Sequence, residues 1–203
     1  MAQFLDFRPD EPSIVLALPR GGIPVAAPIA EALDAEFTAV LARKLPIPDS
    51  PEMGFGAVAI DGSRVINEAV VYDFRISESQ VDRVAEQVNR EVRRRAEEYV
   101  GSDSPPDVNG KHAFMVDDGL ATGYSMLAAV KMVRKGNPLS VTLCVPVSPI
   151  RSIHTVEEHF DRVYCLAAQE RSPFAVASFY ADFHDLSDEE VIAILEQGEK
   201  AKR

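Results

Sequence analysis

Residues 115–125 read "MVDDGLATGYS", and the chemistry they offer pulls in two directions. The turn bracketed by Gly119 and Gly123, with hydroxyls at Thr122 and Ser125, has the make-up of an anion cradle. Successive backbone N–H groups ahead of a helix converge on a phosphate-sized ligand. Asp117 and Asp118, directly before that turn, repel anions. Both features suit one ligand if it carries a phosphate at one end and neutral hydroxyls a few ångströms away, because ionised carboxylates are strong acceptors for sugar hydroxyls. Helix capping accounts for only one of the two acids. The spacing points to a phosphosugar.

A second segment, "LPRGGIPVA" at 18–26, also lies between a strand-like and a helix-like run. Gly21 and Gly22 permit backbone angles closed to other residues, and Arg20 supplies a cation beside them. Alone this is a common turn; together with the acid pair it becomes a candidate second anion site.

Both segments need rigid elements to hold them. Apolar runs "SIVLAL" (13–18), "FTAVLAR" (37–43), "HAFMV" (112–116), "SVTLCVPV" (140–147) and "RVYCLAA" (162–168) read as strands. Between them lie helical patterns: 24–33, with Pro24 at the first turn and Pro28 forcing a late start or a kink; 77–99, with a stripe of Val81, Val84, Val88 and Val92; a face of Met126, Ala129, Val130 and Val133; 150–159; and 187–197. "FGAVAI" and "RVINEAVVY" (64–72) read as further strands turning at Asp61–Ser63, and the proline-rich 44–54 reads as a loop. The alternation predicts one α/β domain over 1–203, a doubly wound and mainly parallel sheet with helices on both faces, with 44–76 as a flexible loop or hairpin insertion.

Composition bounds the function. A net charge of −11 argues against a nucleic-acid surface. The basic cluster at 89–99 reads as a solvated helix face with internal ion pairs. A start without a basic, apolar leader, and the lack of a spanning apolar run, predict a cytoplasmic protein with no membrane partner. Cys144 and Cys165 read as buried thiols, and the four histidines lack metal-site spacing. "GFGAVA" (54–59) fits a dinucleotide fingerprint but has no helix after it, and neither a P-loop nor a hydrolase elbow occurs.

The acid segment resembles the binding motif for 5-phosphoribosyl 1-diphosphate (PRPP) of the type I phosphoribosyltransferases, matching at Asp117, Asp118, Thr122 and Gly123. The Pro-Arg-Gly-Gly segment resembles that family's diphosphate loop, which carries Arg-Gly and an often cis peptide. Most of the chain, including "PFAVASFYADFHDLSDEEV", is similar to a poorly characterised group of predicted phosphoribosyltransferases. The resemblance implies the type I phosphoribosyltransferase fold. It implies transfer of a phosphoribosyl group from PRPP to a nitrogen acceptor such as a nucleobase, with diphosphate leaving. It implies Mg2+ as cofactor, held mainly by ligand oxygens with Asp117 and Asp118 nearby. The acids take the ribose 2′ and 3′ hydroxyls; Ala121 to Ser125 take the 5′-phosphate, with Gly119, Leu120 and Tyr124 in the same cradle. Tyr124 stands where the family more often carries a small residue.

Arg20, Gly21 and Lys44 face the diphosphate on this reading. The proline-rich segment 44–54 closes as a lid, Glu52 reaching the acceptor's proton. Phe174, Phe179 and Tyr180 offer rings for a planar acceptor, against the alternative that they are core aromatics of a terminal strand. An aspartate stands at the place of Ala121 in members that act on 6-oxopurines, so hypoxanthine and guanine are disfavoured. A homodimer is allowed. The competing function is a regulator that senses PRPP or a nucleotide without turnover.

Overall fold

The computed structural model describes residues 9–48, 50–170 and 173–200, with side chains to residue 198. Residues 1–8, on which the expectation of no leader rests, lie outside them, as does Asp49 in the proline-rich segment.

Five strands form an all-parallel sheet: β1 (Ser13–Ala17), β2 (Glu36–Ala39), β6 (His112–Val116), β7 (Ser140–Pro149) and β8 (Arg162–Gln169), in the order β2-β1-β6-β7-β8. A separate antiparallel sheet contains β3 (Ala42–Ile47), β4 (Ser50–Ala59) and β5 (Arg64–Ile66). The helices are α1 (Gly22–Leu33), α2 (Glu68–Asp73), α3 (Glu78–Val100), α4 (Tyr124–Lys135), α5 (Ile150–Val156) and α6 (Asp188–Lys200). The apolar runs of β1, β6 and β7 are buried along their length, including Val15, Leu16, Phe114, Met115 and Leu143, as strands covered on both faces must be. On the edge strand β8 the pattern weakens, leaving Leu166 43% exposed.

From β1 the chain crosses through α1 to β2 on one side, and from β6 it crosses through α4 to β7 on the other. Right-handed crossovers leaving in opposite directions put α1 and α4 on opposite faces. A crevice opens where they diverge, outside the carboxyl ends of β1 and β6.

Helix α3 begins with a capping box, Gln80 N–H to Ser77 Oγ and Ser77 N–H to Gln80 Oε1. Its buried face holds Val81, Val88 and Val92 as expected and continues through Ala85, Ala96 and Tyr99, while Val84 is only half-buried. The basic cluster on its outer side pairs internally, Arg94 with Glu91 and Glu98 and Arg95 with Glu91. Arg94 beside it holds the Glu91 carboxyl down to about 2.

Three expectations need correction. The segment 44–54 is not a loop but the two arms of the β3–β4 hairpin; Pro46 is tolerated because β3 is an edge strand whose register shifts there, Pro48 lies in the turn, and Pro51 sits in a part of β4 that β5 does not pair with. Of "RVINEAVVY" only Arg64–Ile66 is strand; Asn67 accepts the N–H of Val70 and starts α2. Helix α1 starts early rather than late, at Gly22, with Pro28 inside it on an exposed side. Cys144 is buried, its thiol pushed up to about 12 by desolvation, whereas Cys165 is half-buried; both are free.

Candidate functional site

Strands β1 and β6 pair in parallel with Ala17 opposite Val116, and Leu18 N–H donates to Val116 O at 2.8 Å. The register therefore ends both strands at the same level, and the Arg20 loop and the acid turn emerge side by side. Their contact is close. A Cβ added at Gly21 would stand 1.9 Å from Asp118 Oδ2, and one at Gly22 would meet Val116 O at 2.8 Å and Asp117 Cα at 3.0 Å. Only glycine fits between these two segments. The Pro19–Arg20 peptide is cis.

The acid pair is half-buried and closely coupled. Asp118 N–H donates to Asp117 Oδ1 at 2.9 Å. Desolvation, reinforced by the neighbouring Asp118 charge, raises the Asp117 carboxyl well above the usual carboxylate range. Desolvation also raises Asp118, while contacts from Asp117 and the backbone N–H groups of Asp118 and Gly119 pull it down. Two carboxyls kept from water beside each other have an electrostatic deficit that donor hydroxyls or a cation would relieve.

Past the acids, Gly119 is wedged under Val176 and Val147, with an added Cβ within about 3 Å of both, 2.9 and 3.0 Å respectively. Leu120 departs from its expected place in the cradle: its side chain is buried and its N–H donates to Val147 O at 3.1 Å. The turn is held from below by Ser152 Oγ, which donates to Ala121 O at 2.7 Å. Gly123 has φ +82°, which favours glycine, and its missing side chain leaves room for Val156. No side chain caps α4, and Ala121 and Thr122 of the turn ahead of it are exposed, so the first N–H groups of the helix are without a side-chain acceptor from the cap position.

Phe174, Phe179 and Tyr180 follow β8 on and around a 3-10 turn at Val176–Phe179, not on a strand, and are not core residues. Phe174 and Phe179 have ring centroids 5.6 Å apart, and Phe179 is 45% exposed. Tyr180 hydroxyl donates to Asp118 O at 2.7 Å; desolvation, with the two nearby acids, pushes it up to about 12. That hydrogen bond ties the aromatic segment to the acid turn, as does the packing of Val176 on Gly119.

Lys44 and Glu52 are joined to each other across the hairpin, Lys44 Nζ donating to Glu52 O at 2.7 Å. Both are exposed, and that bond holds Lys44 within the hairpin rather than at the acid turn. Arg20 is partly exposed with Nη1 3.8 Å from Asp188 Oδ1, and Tyr99 hydroxyl donates to that same oxygen. Tyr99, Ser152, Val176 and Asp188 also shape the site and went unread as site residues in the sequence.

An open parallel sheet whose two glycine-containing loops meet at the switch point defines a doubly wound α/β domain. Comparison with known proteins narrows the class. Residues 1–184 match the family model described as "Phosphoribosyl transferase domain", and the chain belongs to that family. It is 38% identical over 188 residues to "Putative phosphoribosyl transferase Rv0571c" of Mycobacterium tuberculosis, covering 92% of this chain and 42% of that protein. The chain thus spans less than half the length of the curated relatives it matches. It is 30% identical over 150 residues to a ribose-phosphate pyrophosphokinase of Methanobrevibacter smithii, covering 74% of this chain and 37% of that protein. The crystal structure of the Thermus thermophilus protein TT1426 superposes with a TM-score of 0.74 at 34% identity, covering 91% of this chain and 87% of that one.

Proposed function

We propose that the protein is a phosphoribosyltransferase: it binds PRPP in the crevice between β1 and β6 and transfers the phosphoribosyl group to a nitrogen acceptor, releasing diphosphate. The observation that carries this reading is the junction of the two loops, where Gly21 and Gly22 seat the Arg20 turn against Asp118 and Asp117. One bound ligand can then touch a cation, two carboxylates and a helix N-terminus at once.

The roles follow from the ends of that ligand. Ala121 to Ser125 and the start of α4 receive the 5′-phosphate through backbone N–H groups and the hydroxyls of Thr122 and Ser125. Asp117 and Asp118 accept the ribose hydroxyls. Arg20 and the backbone at Gly21 meet the diphosphate, where negative charge grows as the bond to C1 breaks. Among the described residues no set of three metal-ligating side chains exists, and two adjacent carboxylates fit Mg2+ held mainly by ligand oxygens. When bound, the ion supplies further neutralisation of the leaving diphosphate.

Phe174 and Phe179 offer rings for the acceptor, with Tyr180 anchoring that segment to the acid turn. Ala121, a methyl group where 6-oxopurine enzymes use an acid, favours acceptors that need no proton removed there. The hairpin bearing Lys44 and Glu52 is the candidate lid, Lys44 releasing Glu52 O to reach the diphosphate on closure.

Purified protein incubated with Mg2+ and PRPP should release diphosphate only when a suitable heterocyclic amine is added. Saturable PRPP binding with no diphosphate release for any acceptor would instead make it a sensor on the same fold.

A further inference from the structure

The Arg20 loop lies against the acid turn, a Cβ added at Gly21 falling 1.9 Å from Asp118 Oδ2. The carboxylate paired with the Arg20 guanidinium is Asp188 at the start of α6, 3.8 Å from Nη1. We propose that Asp188, anchored by Tyr99, is a positioning residue that orients the Arg20 guanidinium and presents it to the diphosphate end of the ligand. This rests on the functional reading above and deepens it.

Three features support positioning over simple neutralisation. Asp188 is itself fixed: its Oδ1 accepts the hydroxyl of Tyr99, a residue 5% exposed near the end of α3, and α6 behind it is anchored by buried Val191 and Leu195. A carboxylate held this way cannot follow Arg20 inward, so it sets the direction of a long side chain that would otherwise sample many rotamers. A separation of 3.8 Å is an ion-pair distance rather than a hydrogen bond, which leaves the guanidinium's N–H donors open to an incoming anion. Without Asp188, the long Arg20 side chain loses the partner that sets its direction, and the cation is no longer held for the leaving group. Asp188 also lies beyond residues 1–184, the span matched by the family model, so the matched motif does not supply it.

Calorimetric titration of the 203-residue chain with two probes, Mg2+–diphosphate and ribose 5-phosphate, tests the assignment. Asp188→Ala should weaken diphosphate binding about tenfold, as expected for a misoriented charged group, and leave ribose 5-phosphate within about twofold. Tyr99→Phe, which removes only the anchoring hydroxyl, should give a smaller loss confined to the same probe. Unchanged or tighter diphosphate binding in Asp188→Ala would overturn the proposal by making Asp188 a bystander or a competitor for Arg20. Equal losses for both probes would also overturn it, since they would mark a purely structural residue. Should the wild type bind neither probe, the functional reading itself falls and takes this inference with it, a result distinct from a wild type that binds and a variant that does not differ.

Discussion

At the scale of single residues the site is defined by charge placed where water is scarce. Burial raises both Asp117 and Asp118 above the unfolded carboxylate value near 3.8, and the Asp118 charge adds to the rise at Asp117. The folded state therefore binds more protons than the unfolded chain between that value and the pair's own. Its contribution to stability is fully present below about pH 4 and is lost as pH rises through the raised value. Asp117→Asn should accordingly raise the melting temperature of the ligand-free protein at neutral pH, with the gain shrinking toward pH 4. Melting curves across that range check this; identical pH slopes for both proteins would contradict it. The glycines give a second contrast. Gly21→Ala meets the movable end of Asp118, so the fold should survive while PRPP affinity falls. Gly22→Ala meets the backbone at Val116 and Asp117, and should cost about 1–3 kcal/mol of stability in chemical denaturation.

Among elements, the sequence was legible wherever one periodicity was strong. Helix α3 was announced by its valine stripe over 77–99, and the structure fixes its start with a capping box between Ser77 and Gln80. Strand β6 and the turn after it were announced by "HAFMV" followed by two acids and a glycine. The hairpin was not, because prolines at 46, 48 and 51 are read as loop residues unless it is known which backbone N–H groups the sheet leaves unpaired. Nor was α2, since a short apolar run such as residues 64–72 carries no period that separates strand from helix. Asp188 was invisible for a different reason: its place beside Arg20 is set by the packing of α6 on α1 and α3, to which no local pattern refers. The hairpin also bears on the expected lid. If it closes over bound PRPP, limited proteolysis near Ser50–Glu52 should slow when Mg2+ and PRPP are added. Equal cleavage rates with and without ligand would remove the lid and the roles given to Lys44 and Glu52.

For the whole molecule, the central fact is that the sheet brings its two chemically loaded loops to one switch point, although Arg20 and Asp117 are far apart in the chain. Adjacency of β1 and β6 makes the site, and Phe114, fully buried in β6, supports that adjacency. Phe114→Ala should cost about 3–5 kcal/mol in denaturation experiments, and ligand binding should fail together with the fold. On the proposed function the acidic surface, −11 over the chain, has to admit a polyanion, which makes the local positive charge of Arg20 and the α4 terminus indispensable to that reading. The most direct measurement is calorimetric titration of Mg2+–PRPP into the wild type and into Asp117→Asn/Asp118→Asn, with circular dichroism as the check on folding. Saturable binding in the wild type, absent in a folded double variant, is the predicted result; equal affinity in the two proteins would contradict the assignment of the crevice to PRPP.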